Sequence, residues 1–104
     1  MMTKFFYASS NIKIGNNFRT DSIPKIWIDE GCKLEIGNNV EFRRSIEIRV
    51  HGKSSIRIGD NCRIDRGVRL LSTNNAQISL ESGARVGLYT VFNGVIRLLL
   101  EENV

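Results

Sequence analysis

Ile36-Gly37-Asn38-Asn39-Val40-Glu41-Phe42 returns 22 residues later as Ile58-Gly59-Asp60-Asn61-Cys62-Arg63-Ile64. The same phrase stands 22 residues earlier as Ile14-Gly15-Asn16-Asn17-Phe18-Arg19-Thr20. It stands again, more diverged, as Leu80-Glu81-Ser82-Gly83-Ala84-Arg85-Val86, and Leu100-Glu101-Glu102-Asn103 follows after a step of 20. A fixed period of this length marks a solenoid, in which each repeat packs on its neighbours.

Working outward from the phrase, apolar residues recur in columns. Ile12, Leu34, Ile56, Ile78 and Leu98 lie two positions before the tetrad's first residue. Phe18, Val40, Cys62, Ala84 and Val104 lie four after it. Thr20, Phe42, Ile64 and Val86 lie six after it, and Ile26, Ile48, Leu70 and Phe92 twelve after it. Polar residues separate these columns, so the period inside each run is 2, the signature of a strand with one buried face. No window has the 3.6 period of a long amphipathic helix. The expected fold is all-β: a parallel β-helix of triangular coils, four to five of them, each of about 22 residues and stacked about 4.8 Å apart.

The tetrad's fourth position reads Asn17, Asn39, Asn61, Gly83 and Asn103. Asn and Gly enter the left-handed backbone region at least cost, so a positive-φ turn is expected there in each coil. Asp29-Glu30-Gly31, His51-Gly52-Lys53 and Thr73-Asn74-Asn75 fall in register as one longer polar corner. Residues 1–11 are expected to cap the first coil through Phe5, Phe6 and Tyr7, with the β-helix domain spanning 12–104.

At 104 residues the chain has the size of one domain. Its 41% hydrophobic and 25% charged content suits a globular protein. No apolar run approaches the ~20 residues of a membrane span, and the N-terminal apolar stretch is too short for a signal peptide. The expectation is a cytoplasmic protein without membrane contact. Cys62 shares a column with Val40 and Ala84, and Cys32 shares one with Ser54 and Ala76, so both cysteines read as small core residues. With two Cys and a single His, no zinc site is expected.

The net charge is +4, with Arg19, Arg63 and Arg85 in one column and Arg44 and Arg66 in another. Interleaved acids make a mixed, solvated face the simpler reading, and an anion-binding strip the sharper one. Stacking aromatics are missing from that strip, so no nucleic-acid partner is expected. In the last full coil Leu88, Tyr89 and Val91 occupy outward positions, with Leu71 and Leu99 on outward columns beside them. Such clustered apolar residues suggest a subunit interface. Val104 sits on an inward column at the final rung, where another chain or further sequence is expected to cover it.

The tetrads Ile14-Gly15-Asn16-Asn17, Ile36-Gly37-Asn38-Asn39 and Ile58-Gly59-Asp60-Asn61, each followed by Phe18, Val40 or Cys62, resemble the hexapeptide repeat of the bacterial hexapeptide-repeat acyltransferases. The resemblance covers roughly residues 12–104. It implies a left-handed β-helix and a homotrimer with parallel axes, which suits contacts through Leu88 and Val91. It also implies transfer of an acetyl or other acyl group from acyl-CoA, as co-substrate rather than bound cofactor, to a sugar or polysaccharide hydroxyl. A His serves as general base in such enzymes. It commonly lies in a loop about one coil past the equivalent of Val91-Phe92-Asn93-Gly94, and this sequence stops before such a loop is complete. His51 is therefore the one candidate base of that type in the chain, and a catalytically incomplete O-acetyltransferase-type domain is the expectation. The alternative is a non-catalytic β-helix that acts by assembly or by covering a partner. A single His excludes the several-His metal site of the γ-class carbonic anhydrases, and Thr3, Thr20, Thr73 and Thr90 form no ice-binding ladder.

Overall fold

The computed structural model describes residues 11–94 and 97–100, the last four by backbone alone. The cap residues Phe5, Phe6 and Tyr7, and the terminal Asn103 and Val104, lie outside the described residues.

Among the described residues thirteen short strands form three parallel sheets. The first sheet holds β1 (Ile12–Ile14), β4 (Lys33–Ile36), β7 (Ser55–Ile58), β10 (Gln77–Leu80) and β13 (Arg97–Leu100). The second holds β2 (Arg19–Thr20), β5 (Glu41–Phe42), β8 (Arg63–Ile64) and β11 (Arg85–Val86). The third holds β3 (Lys25–Ile28), β6 (Glu47–Val50), β9 (Arg69–Ser72) and β12 (Val91–Gly94). The chain visits the three sheets in turn and returns to the first one rung higher, so the fold is a β-solenoid of about four turns.

Pairing follows the repeat. Ile14 pairs with Ile36, Ile36 with Ile58, and Leu80 with Ile58. The shortened fifth copy stays in register, Leu100 on Leu80. Its missing residues fall between Gly94 and Arg97, where earlier coils have a full corner.

The inward columns make the core. Leu34, Val40, Phe42, Ile48, Ile64, Leu70 and Ile78 are completely buried. Cys32, Ser54 and Ala76 share a buried column, as do Val40, Cys62 and Ala84. Both cysteines are free, and burial pushes the Cys62 thiol up, which keeps it in the unreactive protonated form. Two further inward columns were not evident from the repeat phrase. Pro24, Ile46, Val68 and Thr90 form one; Ile28, Val50, Ser72 and Gly94 form the other, which narrows toward the C-terminal coil. A side chain at Gly94 would run into Ile78 Cγ1, 2.8 Å from where its Cβ would stand.

All three corners of a coil contain four residues, for example 37–40, 43–46 and 51–54. The expected longer corner is thus absent, and the asymmetry lies in the two-residue strands of the second sheet. Asn17, Asn39 and Asn61 have φ of 59°, 58° and 59°, and Gly83 has 82°, as the Asn column requires. Among the described residues no helix is long and apolar enough to cross a membrane.

Candidate functional site

His51 opens the corner between the third and first sheets. Its backbone N–H donates to Ser72 O at 2.8 Å. Ser54 Oγ lies 2.6 Å from His51 O and 2.7 Å from Ser72 O, so a buried hydroxyl ties the corner to the coil above. Gly52 and Lys53 follow with φ of 63° and 57°, turning the chain sharply and leaving the imidazole 34% exposed. The ring stacks over Asp29, one coil below, and His51 Nδ1 lies 3.0 Å from Asp29 Oδ2. A carboxylate only accepts hydrogen bonds, so Nδ1 carries a proton, and in the neutral ring Nε2 has the lone pair. Nε2 has no hydrogen bond among the described residues. Thr73 continues the column above.

Sequence reading placed Asp29, His51 and Thr73 in one column without assigning Asp29 a role. The 22-residue spacing was the available signal, because a one-coil step sets side chains side by side. Outward on the neighbouring strand positions lie Trp27, Arg49 and Leu71, a ladder on the third sheet. The Arg49 guanidinium sits 4.2 Å over the Trp27 ring, a cation–π contact the repeat did not reveal.

Leu88 and Val91 are 53% and 51% exposed, and Tyr89 between them is 64% exposed. His51 is not beside them within one chain. Val91 begins its strand on the column of Glu47, four residues before His51, and two rungs higher. That is about 13 Å along the strand and about 10 Å along the stack.

The arginine columns resolve into two kinds. Glu41 stands between Arg19 and Arg63 and takes contacts from Arg19 at 3.7 Å, Arg43 at 3.7 Å and Arg63 at 3.4 Å. Glu47 likewise holds Arg49 at 2.7 Å and Arg69 at 3.3 Å. These are mixed-charge ladders rather than an anion strip. Burial alone would raise the Glu47 carboxyl, but the two guanidinium groups outweigh it and hold it below the usual carboxylate range. Arg44 and Arg66 differ, since neither makes an ion pair among the described residues.

Among the described residues no group of three or more His, Cys, Asp or Glu side chains is placed to hold a metal ion. The fold and corner define a parallel β-solenoid carrying a surface carboxylate–imidazole pair. Comparison with protein-family models, curated proteins and solved structures found no match to this chain.

Proposed function

We propose that this chain is an acyl-CoA-dependent O-acyltransferase domain of the hexapeptide-repeat type, with His51 as general base. The observation that carries the reading is the Asp29–His51 pair, together with the repeat that gave rise to it. Asp29 fixes the ring and its tautomer, which presents Nε2 as proton acceptor. His51 Nε2 removes the proton from an acceptor sugar hydroxyl, and the oxygen attacks the thioester carbonyl. The tetrahedral intermediate collapses by breaking the carbon–sulfur bond. The proton held on His51 passes to the departing thiolate, giving a sugar ester and free CoA.

A left-handed coil and a parallel homotrimer belong to the same proposal. Exposed Leu88 and Val91 favour assembly, which would bring one protomer's C-terminal coils near another's corner. Val91→Asp is expected to lower the sedimenting mass, and an unchanged mass would remove that interface.

The direct test follows thiol release from acetyl-CoA in the presence of sugar acceptors. His51→Ala should lower the rate about 10²–10⁴-fold, with a smaller loss for Asp29→Asn. No release above buffer by the unaltered protein would end the enzyme reading in favour of a non-catalytic assembly module, which the exposed Leu88, Tyr89 and Val91 also suit.

A further inference from the structure

The corner between the second and third sheets, far along the strand from His51, has chemistry of its own. Ser22, Arg44, Arg66 and Leu88 stack in one outward column, with Ile23, Ser45, Gly67 and Tyr89 beside them. Arg44 and Arg66 stand one rung apart in that column, and neither makes an ion pair among the described residues. Asp65, next to them, uses its carboxylate to accept the Arg66 backbone N–H at 2.7 Å. Asp21 is engaged by Arg43 at 3.0 Å.

Tyr89 is the second observation. It sits at φ 56°, a conformation an aromatic residue rarely adopts, and the corner imposes it. Ser45 and Gly67 in the same column also have positive φ, and Tyr89 N–H donates to Arg66 O at 2.9 Å. The Cδ1–Cε1 edge of the ring comes closest to Gly67, where a Cβ would overlap it, and Arg66 approaches the ring centroid to 5.9 Å. Arg66 and Leu88, the neighbours of that ring, also line a cleft of about 230 Å³ with Asp21, Arg43, Arg44 and Asp65.

We propose that this cleft binds a carboxylate-bearing sugar, its carboxylate on Arg44 and Arg66 and its apolar ring face on Leu88, with the Tyr89 ring beside Arg66 at the edge of the site. Three arginines against two aspartates leave the lining one positive charge in excess. Guanidinium groups offer paired N–H donors that match the planar fork of a carboxylate. The aspartate oxygens are acceptors for sugar hydroxyls. The inference rests on the acyl-transfer reading only in naming the class of acceptor, an acidic saccharide such as a uronate.

The test is calorimetric titration of the intact protein with trigalacturonate. Its fully methyl-esterified form, inorganic phosphate and adenosine diphosphate are the other ligands. Trigalacturonate should bind, its neutral ester should bind at least about tenfold more weakly, and added salt should weaken the acid form. Arg66→Gln and Arg44→Gln should each cost about tenfold, and Arg57→Gln, on the first sheet, nothing. Tyr89→Gly suits the backbone of this corner, so its melting temperature should hold while binding falls. No binding of trigalacturonate, equal binding of the ester, phosphate or adenosine diphosphate binding as tightly, or indifference to Arg44 and Arg66 would each overturn the assignment. The titration needs no acyl donor and His51→Ala should bind normally, so loss of catalysis and loss of this site are separate results.

Discussion

Gly37 shows how closely one coil presses on the next. A Cβ there would stand 2.9 Å from Asp60 N and nearer still to Asp60 Oδ1. The backbone of the next coil crowds the position, as it does at Gly59, and a hydrogen-bond relay in the tetrad's third position adds to it. Asn38 N–H donates to Asp60 Oδ1 at 2.8 Å, as Asn16 N–H does to Asn38 Oδ1 at 2.8 Å. Each side chain folds back over the glycine of the coil before it. Gly37 itself has no positive φ, so its requirement is space rather than backbone freedom. Gly37→Ala is expected to destabilise by about 1–3 kcal/mol through this overlap. Gly87 is the control, because the nearest atom to a Cβ there is Thr90 Oγ1 at 4.0 Å. Gly87→Ala should be neutral or slightly stabilising, by up to about 1 kcal/mol. Equal denaturant midpoints for the two variants would refute close coil-on-coil approach as the cause of the glycine column.

At the scale of the strand, Glu47 on β6 is the hinge of the third sheet's charge ladder. Its carboxyl is held below the ordinary range in the folded chain, so folding gains from its ionisation. That gain is full above the ordinary carboxylate pKa, about 4.3, and is lost as the pH falls through the lower folded value. Glu47→Gln should therefore flatten the fall in melting temperature between about pH 5 and pH 3. Parallel acid limbs for the two proteins would contradict it. This ladder also marks where the sequence was readable and where it was not. Ile14, Ile36, Ile58 and Leu80 announced the strands because a fixed period puts like residues on like rungs. Asn39 announced its turn because few residues accept φ near 58°. Ser45, Lys53 and Tyr89 hid theirs, since no preference of those residues signals positive φ and the stacked corner imposes it. His51 was visible as the single histidine, while its carboxylate partner became visible only once residues one period apart were seen as neighbours. The interleaved acids had pointed to a mixed-charge face for the arginines, and Glu41 between Arg19 and Arg63 makes it one.

For the whole molecule, stability comes from coil-on-coil contacts, and nearly every rung depends on the one above and below. Ile56 is 1% exposed and pairs with Leu34 on one side and Ile78 on the other. Ile12, in the same column on the first rung, pairs with Leu34 alone among the described strands and is half-buried. Truncating Ile56 to Ala removes apolar contacts to two coils and leaves a cavity that parallel strands at fixed spacing cannot close. The expected loss is about 3–5 kcal/mol. Ile12→Ala should cost about 1–2 kcal/mol, because less area returns to water and the edge rung relaxes. Urea unfolding of both variants measures the difference directly. A rod of so few coils has too little core to survive division at its centre, so Ile56→Ala is expected to lower the single transition rather than split it into two. A biphasic curve would mean that the two halves fold independently, and an Ile12→Ala cost as large as that of Ile56→Ala would mean that stability does not grow with the number of neighbouring coils.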